Sequence, residues 1–426
     1  MAVLLVTLLV LLILGVPIAY SLGLSSLGYF VLVHPELLQV LPQRLFAGMD
    51  SYALIALPLF IFMGHLMNEG GITQRLIDFC MIFVGRFAGG LGLVNVGSSM
   101  LFGGISGSST SDTASIGSVL IPEMRRRGYP ASFAAGLTVA SSTMGMIIPP
   151  SIPMVIFAVT AQESVGRLFL GGVIPGLLVG GFQLLLVFFI ARRRAYPKET
   201  VPLTFQLVVK QVLRSAVVLA MPLFVVGTVV FGVATATESA ALGVGYALLV
   251  GALVIRHLSF RDVLKSLRLA AITSGKIMMI IAFSQVFIWV LALERGPEIL
   301  SRGIESAGLG PTGLLLLVIG VVLILGTFVD VSPAILLLTP VFLPSILAAG
   351  ISPVLFGVVF VSGLAVGACT PPVGNCLNVC AIVSGLRIGE IFYGALPFLG
   401  ANVLMLVLIS LFPSLVLWLP NLIMGR

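Results

Sequence analysis

Apolar runs recur along the whole 426-residue chain, from MAVLLVTLLVLLILG at the start to GANVLMLVLISLF near the end. A bilayer's hydrocarbon core is about 30 Å thick and takes about 20 residues of helix to cross. Inside it the backbone has only itself to bond to, so spanning segments are helices or closed barrels. Only 9% of the residues are charged and 59% are hydrophobic, whereas soluble domains carry about 25% charged residues. The sequence therefore reads as an all-α polytopic membrane protein with no soluble domain. The formal charge of +7 is read as loop charge that fixes orientation, with no nucleic-acid partner. The first apolar run has no basic region before it and no small-residue cleavage site, so it is expected to stay as a helix. Cys80, Cys369, Cys376 and Cys380 form no CxxC pair and are read as small packing residues.

About ten crossings are expected, near residues 3–19, 20–33, 52–68, 131–160, 167–191, 216–233, 238–255, 270–292, 354–386 and 391–412. Two further apolar regions, 89–124 and 311–349, are interrupted by Gly, Ser, Thr or Asp and read as re-entrant hairpins. This layout puts all but Arg44, Arg167, Arg295, Arg302 and Arg426 of the 22 basic residues on one face. That face is then cytoplasmic and both termini are periplasmic. No Lys or Arg falls in mid-membrane, Lys276 being assigned to the cytoplasmic face. Two segments, FQLVVKQVLRSAV (205–217) and SFRDVLKSLRLAAI (259–272), mix basic and apolar residues at helical spacing and are expected to lie along the interface as arm helices.

The chain resembles itself. GVPIAYSLGLSSLGYFVLV (15–33) lies over GVATATESAALGVGYALLV (232–250) at an offset of 217; at 218 Asp112 meets Asp330 and Pro122 meets Pro340; at 222 Gly145 meets Gly367 and Pro149-Pro150 meets Pro371-Pro372. Residues 1–200 and 201–426 are thus read as two repeats, inverted with respect to the membrane because one starts outside and the other inside. Inverted repeats with broken helices at the midplane are the architecture of secondary transporters. Proline lacks an amide hydrogen, so Pro149 and Pro150 are expected to leave the carbonyls of Gly145 and Met146 without donors, and Pro371 and Pro372 those of Gly367 and Ala368. Such oxygens facing a hydroxyl-rich tip suit a desolvated Na⁺. The tips are GISGSSTSDTASIG (104–117), against the break at 145–150, and GTFVDVSP (326–333), against GACTPPVGN (367–375). Asp112 and Asp330 are the acids nearest the breaks, and intramembrane carboxylates are functional candidates; Asp112 could equally cap a half-helix. Glu238 reads as interfacial. An anionic substrate would rely on half-helix N-termini, hydroxyls, amides and bound cations.

On these motifs, together with RRRGYP (125–130) and IIPPSIPMVIF (147–157), the chain resembles over essentially its whole length the large membrane subunit of tripartite ATP-independent periplasmic (TRAP) transporters of the DctM type. The resemblance implies an elevator mechanism in the bacterial inner membrane, with hairpins and broken helices moving against a scaffold. It also implies Na⁺ coupling through two or more sites, a small four-helix membrane subunit on another polypeptide, and a periplasmic substrate-binding protein. The cargo it implies is an organic acid such as sialic acid or a C4-dicarboxylate. Carried over residue by residue, one Na⁺ site uses Ser106, Ser108, Gly145, Ile148 and Pro149, and a second uses Thr327, Asp330, Gly367, Thr370 and Pro371. Relatives can carry Asn where this chain has Ser108. Substrate contacts are looked for at Ser109, Thr110, Thr143 and Asn375.

Three other readings compete. A related anion/Na⁺ symporter could work without a binding protein, and a passive channel would need neither Na⁺ nor a partner. GISG (104–107) also matches the GxSG motif of an intramembrane serine protease, with Ser106 as nucleophile and His34, His65 or His257 as base.

Overall fold

The computed structural model describes residues 1–198, 204–296, 298–299, 302–303 and 308–425. The expected repeat boundary at 200/201 and Arg426 lie outside the described residues. Among them every regular element is helical, as bilayer-embedded backbone requires. Seven helices are long and apolar enough to cross a membrane alone, including Val165–Arg193, Phe205–Val230, Phe260–Leu293 and Ile388–Leu411. Ala131–Ile147 and Ile152–Ala161 would make one further span, bent by 41° at its break. The expected ten crossings were drawn too continuous. Residues 3–19 are a helix of only 12 residues, Ala2–Ile13, and 354–386 divides into Pro353–Gly367 and Asn375–Ser384.

The expected arm segments are continuous with the crossings that follow them. Residues 205–217 run without interruption into Phe205–Val230, and 259–272 into the 34-residue Phe260–Leu293. Neither basic segment contains Gly or Pro, so nothing stops helix propagation into the apolar part. At 1.5 Å per residue the second helix is about 51 Å long, well beyond the hydrocarbon thickness. It starts with a capping box: Asp262 Oδ2 accepts from Ser259 N at 2.9 Å, and Ser259 Oγ from Asp262 N at 3.3 Å. Thr235 and Glu238 build the same device at the start of Ala236–Leu249, which accounts for Glu238.

Helices of the first half begin at Gly90, Ser109, Ala131, Ile152 and Val165, and of the second at Pro311, Val331, Pro353, Asn375 and Ile388, a displacement of 221–223 residues. This register corrects the pairing of Asp112 with Asp330 and of Pro122 with Pro340. Asp330 is the N-cap of Val331–Ala348, and the residue in that position of the first half is Ser108, N-cap of Ser109–Arg126; Asp112 lies four residues inside its helix. Pro122 then faces Pro344, which is also inside the second helix.

The two halves interlock. Ser109–Arg126 packs on Asn375–Ser384, Val331–Ala348 on Ile152–Ala161, and Ile388–Leu411 on Ala131–Ser142. In the last pair Gly136 and Gly394 bring two backbones together: a Cβ on Gly136 would lie 2.2 Å from the Gly394 carbonyl carbon, the close approach that small residues permit in membranes. Beside this body stands a smaller cluster in which Leu22, Tyr29 and Phe30 pack on Val286 and Phe287 of the long helix. All four cysteines are buried and free.

Candidate functional site: a cavity between the hairpin tips

Each hairpin turns where its sequence allows the backbone to reverse. Helix Gly90–Ser106 ends on Gly107 at φ +61°, Ser108 is extended, and Ser109–Arg126 leaves. Packed against this tip is the first break, where the Pro149–Pro150 bond is cis. A Cβ on Gly145 would sit 3.1 Å from the Ser108 carbonyl oxygen, and one on Gly104 3.3 Å from that of Pro149. Glycine at these positions lets a main-chain oxygen approach the facing backbone. In the second half Pro371–Pro372 is also cis. A Cβ on Gly367 would fall 2.8 Å from Gly326 Cα, and the Thr327 carbonyl accepts from Val373 N at 3.1 Å and Gly374 N at 3.4 Å.

The carbonyls that the prolines cannot bond are mostly taken up by other donors, which corrects the expectation of four stranded oxygens. Met146 O accepts from the Ser151 hydroxyl, Gly367 O from Thr370 N at 2.9 Å, and Ala368 O from Cys376 N at 3.2 Å. Only Gly145 O receives no donor among the described residues. A carbonyl has two lone pairs, so a single bond leaves each of the other three able to accept once more.

Residues from both tips line one cavity of about 780 Å³. Its wall includes Ser106, Ser108, Thr110 and Ser111 from the first tip, Asp330 and Ser332 from the second, and Asn375 and Asn378 after the second break. Four helices begin at its wall: Ser109–Arg126, Ile152–Ala161, Val331–Ala348 and Asn375–Ser384. Each N-terminus carries roughly half a positive charge and up to four unbonded N–H groups. Asp330 caps one of these helices, through Val331 N at 2.9 Å, and Ser151 another. The helices starting at Ser109 and Asn375 have no side-chain cap; Cys376 N is given to Ala368 O, which leaves their other first-turn amides to hold an anion. A second cavity of about 280 Å³, lined by Gly48, Ile156, Gln162 and Gln285 among others, includes no tip residue.

Two of the residues expected at the substrate are turned elsewhere. Thr143 is buried; its hydroxyl donates to Ala140 O at 2.8 Å and accepts from Asn402 Nδ2 at 3.0 Å. Gln183 completes that network through Asn402 Oδ1 at 2.8 Å. Ser109 is buried with its Oγ 3.0 Å from Cys376 Sγ, joining the first hairpin to the second broken helix. Thr110 and Asn375 do line the cavity. Of the expected cation ligands, Gly145, Pro149, Ser106 and Ser108 lie together, as do Gly367 and Thr327 at the second break. Ile148 is half-buried between Met144, whose carbonyl its N–H reaches at 2.8 Å, and the first proline. The Thr370 hydroxyl donates to Val366 O at 3.0 Å, and Pro371 is half-buried beside it. Asp330 is exposed to the cavity. Asp112 is fully buried; Oδ1 accepts from Ser99 Oγ at 3.1 Å and Oδ2 has no partner among the described residues.

Sequence reasoning missed the opposite wall. His65, Asn68 and Glu69 on Ala56–Glu69, and Thr273 and Lys276 on Phe260–Leu293, also line the cavity. Lys276 lies 16 residues into a 34-residue helix and shares the cavity with the tips, a placement the sequence did not point to. The spacing 269, 273, 276, 277, 280 is one helical stripe, a signal that was present but matches any buried or lipid-facing stripe.

The family model for the tripartite ATP-independent periplasmic transporter DctM component matches residues 5–415. The chain belongs to this family of TRAP large permeases. It is 36% identical over 414 residues to the sialic acid TRAP transporter large permease protein of Vibrio cholerae, covering 96% of each chain. To the C4-dicarboxylate TRAP transporter large permease protein of Pseudomonas aeruginosa it is 36% identical over 405 residues, 94% of each. The Alcanivorax borkumensis YdaH transporter shares the fold, with a TM-score of 0.62 over 89% of each chain at 15% identity. A TRAP permease is a secondary transporter and a multi-pass membrane protein, so the protease reading falls. The Ser106 hydroxyl is in any case directed to Ser108 O at 3.3 Å. Membership implies a tripartite system with a small membrane subunit and a substrate-binding protein.

Proposed function

We propose that this permease couples Na⁺ entry to the uptake of an organic acid anion across the bacterial inner membrane, the anion being handed over by a periplasmic binding protein. The observation that carries the reading is the convergence of four helix N-termini and two hydroxyl-bearing tips on one cavity. That arrangement favours a carboxylate without requiring a dedicated arginine. The anion is of the sialic acid or C4-dicarboxylate type transported by the relatives, and it meets Thr110 and Asn375.

Two cations sit behind the tips, one with Ser106, Ser108, Gly145, Ile148 and Pro149, the other with Thr327, Asp330, Gly367, Thr370 and Pro371. In support, the free Gly145 carbonyl and the spare lone pairs beside both prolines offer hard oxygen donors. The two halves act as inverted repeats; the near-constant displacement of their helix starts, 221–223 residues, supports the repeat. Their hairpins and broken helices move together as an elevator against a scaffold that includes Phe260–Leu293. Both termini face the periplasm, as the positive-inside count supports. The tripartite family weighs against a symporter working without a binding protein.

The test is uptake into proteoliposomes holding this chain with its small four-helix subunit and binding protein. Uptake is expected to require an inward Na⁺ gradient and to rise with inside-negative potential, each net charge gaining about 2.3 kcal/mol per 100 mV. Uptake indifferent to both gradients overturns the coupling.

A further inference from the structure

The cavity has two unlike walls. Hairpin tips and broken helices form one of them, bearing hydroxyls, amides and helix N-termini. The other is a stripe of Phe260–Leu293 on which Leu269, Thr273, Ile277 and Ile280 are uncharged and Lys276 is the single charge. Each acid that shares the cavity has one carboxylate oxygen engaged. Glu69 Oε1 pairs with Lys265 Nζ at 2.8 Å, and Asp330 Oδ1 accepts from Val331 N at 2.9 Å. Lys276 is exposed to the cavity and makes no ion pair with a described residue. An ionisable side chain within a membrane protein is costly to keep, and lining a polar cavity gives it water or an anion for company.

We propose that Lys276 is a specificity-determining residue of this permease: its ammonium receives the second anionic or acceptor end of the cargo, while a carboxylate rests on the uncapped helix starts at Ser109 and Asn375. This rests on the reading of the cavity as the substrate site. The ligand class follows from the two walls, an elongated organic acid with a carboxylate at one end and another carboxylate, sulfonate or hydroxyl-bearing group at the other. Because Lys276 belongs to a helix outside the two hairpin-and-break units, its contact is made across the boundary between the two walls. Any movement of one wall past the other then breaks the attraction, so the same lysine that helps admit the anion does not hinder its release.

The experiment measures local charge and needs no knowledge of the cargo. In the complete permease complex, Ser111→Cys is introduced on the cavity wall, and the complex with the unsubstituted permease, whose own four cysteines are buried, serves as background. The rates of reaction with a sulfonate-bearing methanethiosulfonate and with its trimethylammonium counterpart are compared. A lysine facing the cavity favours the anionic reagent, and Lys276→Gln is expected to lower the anionic-to-cationic rate ratio by about tenfold. Lys276→Arg, which keeps the charge, restores the ratio. A reactive introduced thiol whose ratio is unchanged by Lys276→Gln overturns the proposal and leaves the cavity reading standing. An introduced thiol that reacts with neither reagent overturns the cavity as a water-filled site, and the proposal with it.

Discussion

Ser108 and Asp330 stand at the same point of the two hairpins, the N-cap of the outbound helix, yet they meet very different surroundings. Ser108 is half-buried, its Oγ 3.1 Å from Thr110 Oγ1 in a tip of short hydroxylated side chains. Asp330 is an exposed carboxylate on the Val331 amide, beside a Phe328 that is 59% exposed. The breaks behind them differ too. The first keeps one main-chain oxygen, that of Gly145, without a donor, whereas at the second both affected carbonyls are hydrogen-bonded. The first unit thus offers dipoles in a closed setting, and the second offers a full charge open to the cavity. On the proposed reading, a cation behind the first tip would depend on backbone placement and one behind the second on a side chain.

This contrast fixes the order of mutational effects. The largest is expected where backbones touch. In Gly367→Ala the new Cβ falls 2.8 Å from Gly326 Cα, and in Gly145→Ala it falls 3.1 Å from the Ser108 carbonyl oxygen. Neither neighbour is a flexible side chain, and overpacking of this kind costs about 1–3 kcal/mol. Thermal unfolding of the purified permease should place Gly367→Ala below Gly145→Ala and both below the parent, with uptake abolished in the first. Equal melting temperatures for all three would show that the second tip and break are not held as tightly as described.

Next comes Asp330→Asn. Asparagine caps a helix about as well as aspartate, so the fold should be unaffected and the melting temperature unchanged. The loss of a charged ligand should instead raise the Na⁺ concentration for half-maximal uptake by about tenfold or more, since each factor of ten needs only about 1.4 kcal/mol. Wild-type Na⁺ dependence in a folded Asp330→Asn permease removes this carboxylate from the second cation site. Ser151→Ala is expected to be milder. It removes both the donor to Met146 O and the cap of Ile152–Ala161, a loss of about 1–2 kcal/mol, visible as a lower melting temperature with Na⁺ dependence preserved. A Ser151→Ala permease as stable as the parent would mean that the Met146 carbonyl finds another donor.

The parts of this site legible in the sequence are those written in Gly and Pro. GISGSSTSDTASIG and the two Pro-Pro pairs mark their turns and breaks because no neighbouring residue type imposes the same backbone. What these breaks do with their oxygens was not legible, because the compensating donors are main-chain amides of Thr370 and Cys376 and one hydroxyl, Ser151, whose reach depends on the turn adopted. The repeat register misled at Asp112: a scarce residue drew the alignment, while the helix starts pair Asp330 with Ser108, four residues away. Ser109 and Thr143 were near the tips in sequence, but helical rotation turns them toward Cys376 and Asn402. Lys276 was hidden for a different reason. A cavity-facing stripe in an apolar helix has the same spacing as a packed or lipid-facing one, and only the assembled walls distinguish them.

The smallest effect is expected at Ser108→Ala, and it tests the comparison most finely. Among the described residues the Ser108 side chain bonds only Thr110, while its main-chain oxygen is the group that lies against Gly145. Alanine leaves that oxygen in place and keeps the small volume that the tip allows. If the first cation is held through the backbone, the Na⁺ concentration for half-maximal uptake should move by less than about threefold, under about 0.7 kcal/mol, despite Ser108 occupying the position that Asp330 holds in the second half. The matching truncation in that half, Asp330→Ala, should shift it far more. A Ser108→Ala shift as large as that of Asp330→Ala would mean that the hydroxyl itself is a ligand, and that both tips work through side chains.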